Sequence, residues 1–379
     1  MTPHPTQTNT VLSQQDLLEA GLNRGPADNP PREIPRLIGM DLAALEAMLA
    51  DWGEPAFRAR QLHSWIYVHA VRDIEAMTNL SKGLRNRLHQ DTRLGQLELV
   101  DKQISRDGTT KYLFRLQDGN VIESVWMPFQ ERESTSICVS TQVGCAVNCG
   151  FCATGKLGLK RHLSAAEIVE QLLYVRHDSG QPINNLVFMG QGEPLHNYDA
   201  FIEALRLINQ SAELGMRHIT VSTAGLVPQI RKLADEQLQL TLAVSLHAPD
   251  DDTRNRFMPI NQRYPIAELM GALQYYYDQT HRRLTIEYIL LAGLNDSDAH
   301  AQALGNLLET LHCNINLIPY NPIGAEYGFK RPDRLACLRF KRTLEAHSRH
   351  KVTIRLERGT DIDAACGQLA NRHQAPARS

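Results

Sequence analysis

Cys138-Val-Ser-Thr-Gln-Val-Gly-Cys145-Ala-Val-Asn-Cys149-Gly-Phe-Cys152-Ala-Thr-Gly155 is the stretch on which the fold turns. It sets a C-x3-C-x2-C cluster directly after a run, Ile137–Gln142, that reads as a β-strand. Loops at the C-terminal ends of parallel strands are where α/β barrels carry their chemistry. Three thiolates on one short loop can share a metal centre. Structural zinc takes four ligands, usually as two separated pairs, and no second pair follows here. A cubane iron–sulfur cluster takes one ligand per iron, so three cysteines leave one iron open to a chelating cosubstrate. The chain has seven cysteines, and an odd number argues against a secreted disulfide scaffold.

Outward from the cluster, the chain after residue 136 alternates strand, loop and helix. Further strands are expected at Leu186–Met189, Ile219–Ser222, Leu240–Ser245, Thr285–Leu290 and Ile315–Ile318. Helical periodicity falls near 164–177, 197–209, 226–237, 266–279, 297–311 and 333–347. Six such units predict an α/β fold with a parallel sheet, a partial (β/α)6 barrel over 136–358. A short strand, Val352–Arg355, leads into a C-terminal loop and tail, 359–379.

Upstream the pattern differs. Residues 1–34 are proline-rich without hydrophobic period and read as a flexible leader, and the lack of a signal core points to a cytoplasmic protein. Residues 35–92 read as a small helical domain, with Leu42, Leu45, Met48 and Leu49, then Leu62, Trp65 and Ile66, at helical spacing. There Arg58, Arg60, Lys82, Arg85 and Arg87 offer a cationic surface to phosphates, although a solvated helical face is the plainer reading. Asp-Gly pairs at 107–108 and 118–119 separate Leu97–Val100, Lys111–Leu116 and Val121–Trp126, which predicts an antiparallel connecting element over 93–135. The 379 residues are 42% apolar and 22% charged, too apolar for wholesale disorder. No uncharged run approaches the roughly 18 residues of a membrane span. Lys+Arg 40 against Asp+Glu 42 give a net charge of −2, which excludes a globally basic nucleic-acid binder but not a local basic face.

The cysteine loop resembles the signature of the radical S-adenosylmethionine (SAM) superfamily, and Phe151 before the third cysteine fits it. That resemblance implies a 4Fe-4S cluster on Cys145, Cys149 and Cys152, with the fourth iron chelated by SAM. Reductive cleavage of SAM there gives a 5′-deoxyadenosyl radical. Met189-Gly-Gln-Gly192-Glu193-Pro194 follows the second strand and resembles the superfamily's glycine-rich motif. Its glycines would let the backbone approach a ligand, and Glu193 would pair with the SAM ammonium. Alone, such a turn reads as a strand-to-helix connection.

Further motifs occur in order: Ser222-Thr-Ala-Gly225, Ser245-Leu246-His247-Ala-Pro249, Asn316-Leu-Ile-Pro-Tyr-Asn321-Pro322 and Asp361-Ile-Asp-Ala-Ala-Cys366-Gly-Gln-Leu369. Together they resemble the RlmN-type adenine-C2 RNA methyltransferases over about residues 37–371, helical N-terminal domain included. The resemblance implies methylation of an adenosine in the peptidyl-transferase region of 23S rRNA and of the adenosine just 3′ of the tRNA anticodon. It also implies a route. Adenine C2 is electron-poor and has no acidic proton, so polar displacement from SAM fails there. One SAM methylates a cysteine, and a second supplies the radical that takes hydrogen from the S-methyl group. The methylene radical then adds to C2, and a second cysteine releases the product by forming a transient disulfide.

Carried onto this chain, Cys366 is the methyl carrier and Cys138 the resolving thiol, roles suited to a nucleophilic thiolate and an exchangeable sulfur. Glu123 takes the position of the proton acceptor, although its own surroundings in sequence read as an exposed strand. Gly192, Glu193, Ser222, Ser245, Leu246, His247 and Asn321 match SAM-contacting positions, while His247 alone reads as a satisfied structural histidine. Cys313 and Cys337 match nothing and read as buried fillers. An electron donor such as flavodoxin or ferredoxin, no membrane and a monomer complete the expectation. Three departures are visible: Gln191 replaces a methionine, the Glu123–Cys138 connection is slightly long, and little follows Cys366-Gly-Gln. The sister Cfr-type adenine-C8 enzymes share the cluster and both cysteines. A noncatalytic iron–sulfur RNA-binding module is the alternative from another class, and it has no need of Cys366.

Overall fold

In the computed structural model, residues 34–370 are described, apart from 130 and 132. All but the last residue of the expected leader, and the tail from 371, lie outside the described residues. The helical segment begins with helices Leu42–Asp51 and Ala56–His63 and ends with Lys82–Asp91. Asp41 and Ser81 cap the first and last of these through their side chains, each accepting a backbone N–H. Leu45, Leu49, Leu62, Ile66, Leu84 and Leu88 turn inward at helical spacing and join the main hydrophobic core.

Strands β1 (Glu98–Ile104), β2 (Thr110–Arg115), β3 (Val121–Phe129) and β4 (Ser134–Cys138) form an antiparallel meander. The two Asp-Gly turns set its register, with Leu113 opposite Glu123 and Val125 opposite Cys138. A separate two-stranded hairpin follows, β5 (Gln142–Gly144) with β6 (Leu159–His162). The strand expected over Ile137–Gln142 is thus divided. Its first part enters the large sheet, and Gln142 turns away to pair with His162. All three clustered cysteines lie between β5 and β6.

Strands β7 (Asn185–Phe188), β8 (Ile219–Thr223), β9 (Thr241–Ser245), β10 (Leu284–Leu290), β11 (Cys313–Pro319) and β12 (Val352–Ile354) continue from β4, every neighbouring pair parallel. The order β1-β2-β3-β4-β7-β8-β9-β10-β11-β12 makes one ten-stranded mixed sheet. The antiparallel strands are therefore hydrogen-bonded onto the barrel's first strand. Helices Ala165–Ser179, Tyr198–Gln210, Val227–Asp235, Ile266–Thr280, Asp298–Leu307 and Arg334–Ala346 supply the crossovers, close to where periodicity predicts them. The first carries a complete capping box, Ser164 with Glu167, and ends at Gly180 in the left-handed region. β10 is buried along nearly its whole length, as a strand covered on both faces requires, whereas β11 alternates, with Asn314, Asn316 and Ile318 facing a cavity. Parallel strands point their C-terminal ends the same way, so the cysteine loop and the turns after β7, β8, β9 and β11 share one rim.

Candidate active site

The cysteine loop is seated in a small apolar cluster of its own. Val147, Phe151, Phe257, Met258, Tyr320 and Ile323 are buried around the half-buried Cys145, Cys149 and Cys152. Burial pushes the Cys145 thiol up to about 12 and Cys149 well above its usual value, and the charge of Cys152 adds to both. Three crowded sulfurs in a low-dielectric shell need a cationic centre before they become thiolates together. Among the described residues no three His, Cys, Asp or Glu side chains converge on a point as one metal ion requires. Three thiolates from one short loop suit a cluster that keeps one iron open to a further ligand.

Beside this loop, Glu193 follows β7 and is 4% exposed. Its Oε2 accepts the Ala224 N–H at 2.7 Å and its Oε1 the Leu195 N–H at 3.2 Å. Burial raises its carboxyl to about 7. Gly192 has φ +102, and a Cβ there would lie 2.6 Å from Gln142 Cβ. The glycine therefore serves close packing against the 139–142 segment, whose Gln142 Oε1 accepts the Glu193 N–H at 2.8 Å.

Ser222 lies in β8, Ser245 ends β9, and Leu246 and His247 follow it. Leu246 is fully buried, with its N–H and carbonyl engaged in the fold. His247 holds φ +63, and its Nδ1 accepts the Ile289 N–H at 3.0 Å. Burial, then the charge of Arg254, pulls its imidazole down to about 3, so the ring is neutral and Nε2 carries its proton. Arg254, unremarked by sequence, organises this group. It is fully buried and donates to Leu246 O (2.9 Å), Asn261 Oδ1 (2.8 Å), Ala224 O (2.7 Å) and Ser245 O (3.1 Å).

The loop carrying Cys366 is fastened at three places: the turn after β1, the cysteine loop and the end of β11. Ser105 Oγ donates to Asp361 Oδ1 at 2.5 Å, and the Gly359 N–H to Asp107 Oδ2 at 3.1 Å. Thr154 Oγ1 donates to Leu369 O, and the Ala153 N–H to Gly367 O, both at 2.7 Å. Asn321 Nδ2 donates to Cys366 O at 3.2 Å, while its buried Oδ1 has no hydrogen-bond partner among the described residues. The two thiols 228 positions apart (366 − 138) consequently line one cavity of about 790 Å³, with Cys152, Asn321 and Arg355. Burial and then Cys366 push the Cys138 thiol up to about 12.

Glu123 is placed differently from the sequence expectation. It is buried, 1% exposed, and pairs with the buried Lys111 at 3.5 Å. It lines a second cavity of about 240 Å³ with Asp361, Asp363 and Gln368, so residues 361–370 border both spaces. Gly192, Glu193, Ser222, Ser245, Leu246 and His247 line neither of these two cavities. Arg355, Arg254 and Lys111 escaped sequence reading. Only Lys111 had a signal, because the Asp118-Gly119 turn sets it diagonally across from Glu123. Among the basic residues, Arg85 is withdrawn from any open face. It donates to Met77 O and Leu80 O and pairs with Glu75, whereas Arg60 and Arg87 remain exposed and Arg58 half-buried.

The chain is similar to known proteins over nearly its whole length. A model of the radical SAM superfamily matches residues 139–303, and one of the ribosomal RNA large subunit methyltransferase N-terminal domain matches residues 36–94. The chain is 46% identical to a probable dual-specificity RNA methyltransferase RlmN of Symbiobacterium thermophilum, covering 96% of each chain. It is 46% identical to that of Geobacillus kaustophilus, over 90% of this chain and 93% of the other. The crystal structure of a radical SAM methyltransferase from Sphaerobacter thermophilus superposes with a TM-score of 0.84 at 46% identity, covering 88% of this chain and 99% of that one. No helix among the described residues is long and apolar enough to cross a membrane. Matched by both family models and 46% identical to a relative over 96% of its length, the chain belongs to the RlmN family of radical SAM RNA methyltransferases.

Proposed function

We propose that this chain methylates C2 of adenosine in 23S rRNA and in tRNA beside the anticodon, with Cys366 carrying the methyl group and Cys138 releasing it. The observation that supports this most is the single cavity shared by Cys138, Cys366 and Cys152. The name dual-specificity RNA methyltransferase, borne by relatives 46% identical, supports two RNA substrates.

Cys145, Cys149 and Cys152 would hold the 4Fe-4S cluster, and Glu193, Ser222, Ser245, His247 and Asn321 would hold SAM. The orphaned Asn321 Oδ1 and the buried Glu193 carboxylate suit a ligand that bears an ammonium and hydroxyls. Cluster and SAM, when bound, supply the 5′-deoxyadenosyl radical, with an electron from a donor such as flavodoxin or ferredoxin. Cys366 accepts the methyl group at sulfur, which it then presents towards the cavity. Carbon added at C2 remains bonded to Cys366 until Cys138 attacks the Cys366 sulfur and frees the methylated base. Glu123 takes the C2 proton, once the loop that borders both cavities yields to the base. Arg58, Arg60 and Arg87 engage RNA phosphates.

Digestion of RNA treated with the anaerobically reconstituted enzyme should yield 2-methyladenosine. Cys366→Ala should lose the product and keep the cluster. Methylation found at C8 alone, or a fully active Cys366→Ala protein, would overturn the assignment.

A further inference from the structure

Arg355 follows β12, where its backbone N–H donates to Leu317 O at 2.8 Å. Its side chain reaches into the cavity that Cys138 and Cys366 share. A guanidinium has five N–H donors, and a thioether is a weak acceptor. Among the described residues the side chain of Arg355 makes one hydrogen bond, to Met189 Sδ at 3.7 Å, and no ion pair. The buried Glu287 influences it from farther off, with one oxygen accepting from Asn316 Nδ2 at 3.1 Å. A cation so thinly partnered inside a cavity awaits an anion there.

Two atoms in this cavity become anionic in the proposed reaction, the sulfurs of Cys366 and Cys138. The charge of Cys366 acts most strongly on Arg355 and holds its guanidinium protonated, with Glu287 and Cys138 adding to it. Apolar side chains packed around Cys138 include Val125, Met127, Val187, Met189, Ala364 and Leu369. The charged or titratable groups that act on the Cys138 thiol are Cys366, which raises it, and Arg355, which lowers it.

We propose that Arg355 is the cation that keeps Cys138 competent to attack Cys366 when the RNA–protein link is resolved. This rests on the preceding assignment of Cys366 as methyl carrier. In the step, the Cys138 thiolate forms an S–S bond to Cys366 and the bond from Cys366 sulfur to the methylene breaks. That electron pair stays on the carbon, which takes a proton and leaves as the methyl group of the RNA. The two sulfurs are oxidised and the carbon is reduced. Burial makes the attacking thiolate scarce at neutral pH, and only the thiolate attacks. Arg355 acts through Cys138 and is in that sense a positioning residue.

The test follows decay of the RNA–protein adduct in rapid-quench experiments between about pH 6 and pH 9, a range over which a raised thiol supplies tenfold more thiolate per pH unit. Cys138→Ala, which lacks the attacking sulfur, provides the unresolved reference. Arg355→Gln, taken forward only after peptide mass spectrometry shows its Cys366 fully methylated, is expected to slow resolution at least tenfold at every pH and to accumulate adduct. Arg355→Lys restores the cation and most of the rate. An Arg355→Gln protein that resolves at the wild-type rate overturns the proposal. So does an Arg355→Lys protein as slow as the Gln variant while its cluster absorbance and Cys366 methylation are normal. If Cys138→Ala accumulates no adduct, Cys366 is not the carrier, and the role of Arg355 falls with it.

Discussion

The side-chain amide of Asn321 donates to the backbone carbonyl of Cys366 at 3.2 Å, so the end of β11 holds the loop that presents the cavity's half-buried thiol. Removing this bond by Asn321→Ala should cost about 1 kcal/mol locally. Cys366 should then alkylate faster than in the wild type, as mass spectrometry of the labelled peptide would register. Asn321→Asp keeps the size and loses the donor, and it should behave like the Ala variant. Unchanged alkylation in both would mean that the tether does not hold the loop.

Gly144 precedes the first cluster cysteine with φ +77, and a Cβ there would lie 1.8 Å from Gly158 O. The Cys145 N–H donates to that same carbonyl at 2.9 Å, which closes the β5–β6 hairpin around the cysteine loop. Gly144→Ala forces this backbone pair apart and adds strain of order 1–3 kcal/mol. Iron and sulfide content after anaerobic reconstitution should fall well below one cluster per chain, while the far-UV spectrum stays native.

Arg254 ties together the turns after β8 and β9. Arg254→Met would strand the carbonyls of Leu246, Ala224 and Ser245 in a buried setting, at a cost of roughly 3–5 kcal/mol. A markedly lower melting temperature and loss of SAM binding by equilibrium dialysis are expected together. Arg254→Lys reaches fewer carbonyls and should fall between.

The contrast between the cysteine loop and Arg254 shows which features were legible in the sequence. Cys145, Cys149 and Cys152 are close because the chain joins them, and strand–helix alternation is a local period, so both could be read directly. The division of Ile137–Gln142 was hidden. β5 and β6 are only 3 and 4 residues long, and their partnership forms across the cysteine loop. The burial of Glu123 was hidden as well, because alternation gives the face of a strand and not what later chain covers it. Residues 361–370 supply that cover from the far end of the sequence. Arg254 and Arg355 act through partners in distant segments, and neither spacing nor composition marks them.

Burial sets a pH signature on Glu193. Its carboxyl titrates near 7 in the folded chain against an ordinary 4.5, so it is neutral below that pH and charged above it. SAM affinity should therefore weaken as pH falls through about 7, and Glu193→Gln should flatten the dependence at a lower affinity. The same shift has a stability sign. Because the folded value lies above the unfolded one, this group favours folding below about pH 4.5. That contribution, up to about 3 kcal/mol, is lost as pH rises towards 7 in the ligand-free protein. Urea titrations of the wild type and Glu193→Gln across this window would register the difference.

In the proposed reaction the methyl group travels through Cys366. Reconstituted enzyme supplied with SAM bearing a trideuterated methyl group, followed by RNA, tests it directly by mass spectrometry of both protein and nucleoside. The expected result is a trideuterated methyl on the Cys366 peptide before RNA is added, then 2-methyladenosine whose methyl keeps two deuterons and has gained one hydrogen. An adenosine carrying the intact trideuterated methyl, with Cys366 never labelled, would rule out Cys366 as the carrier.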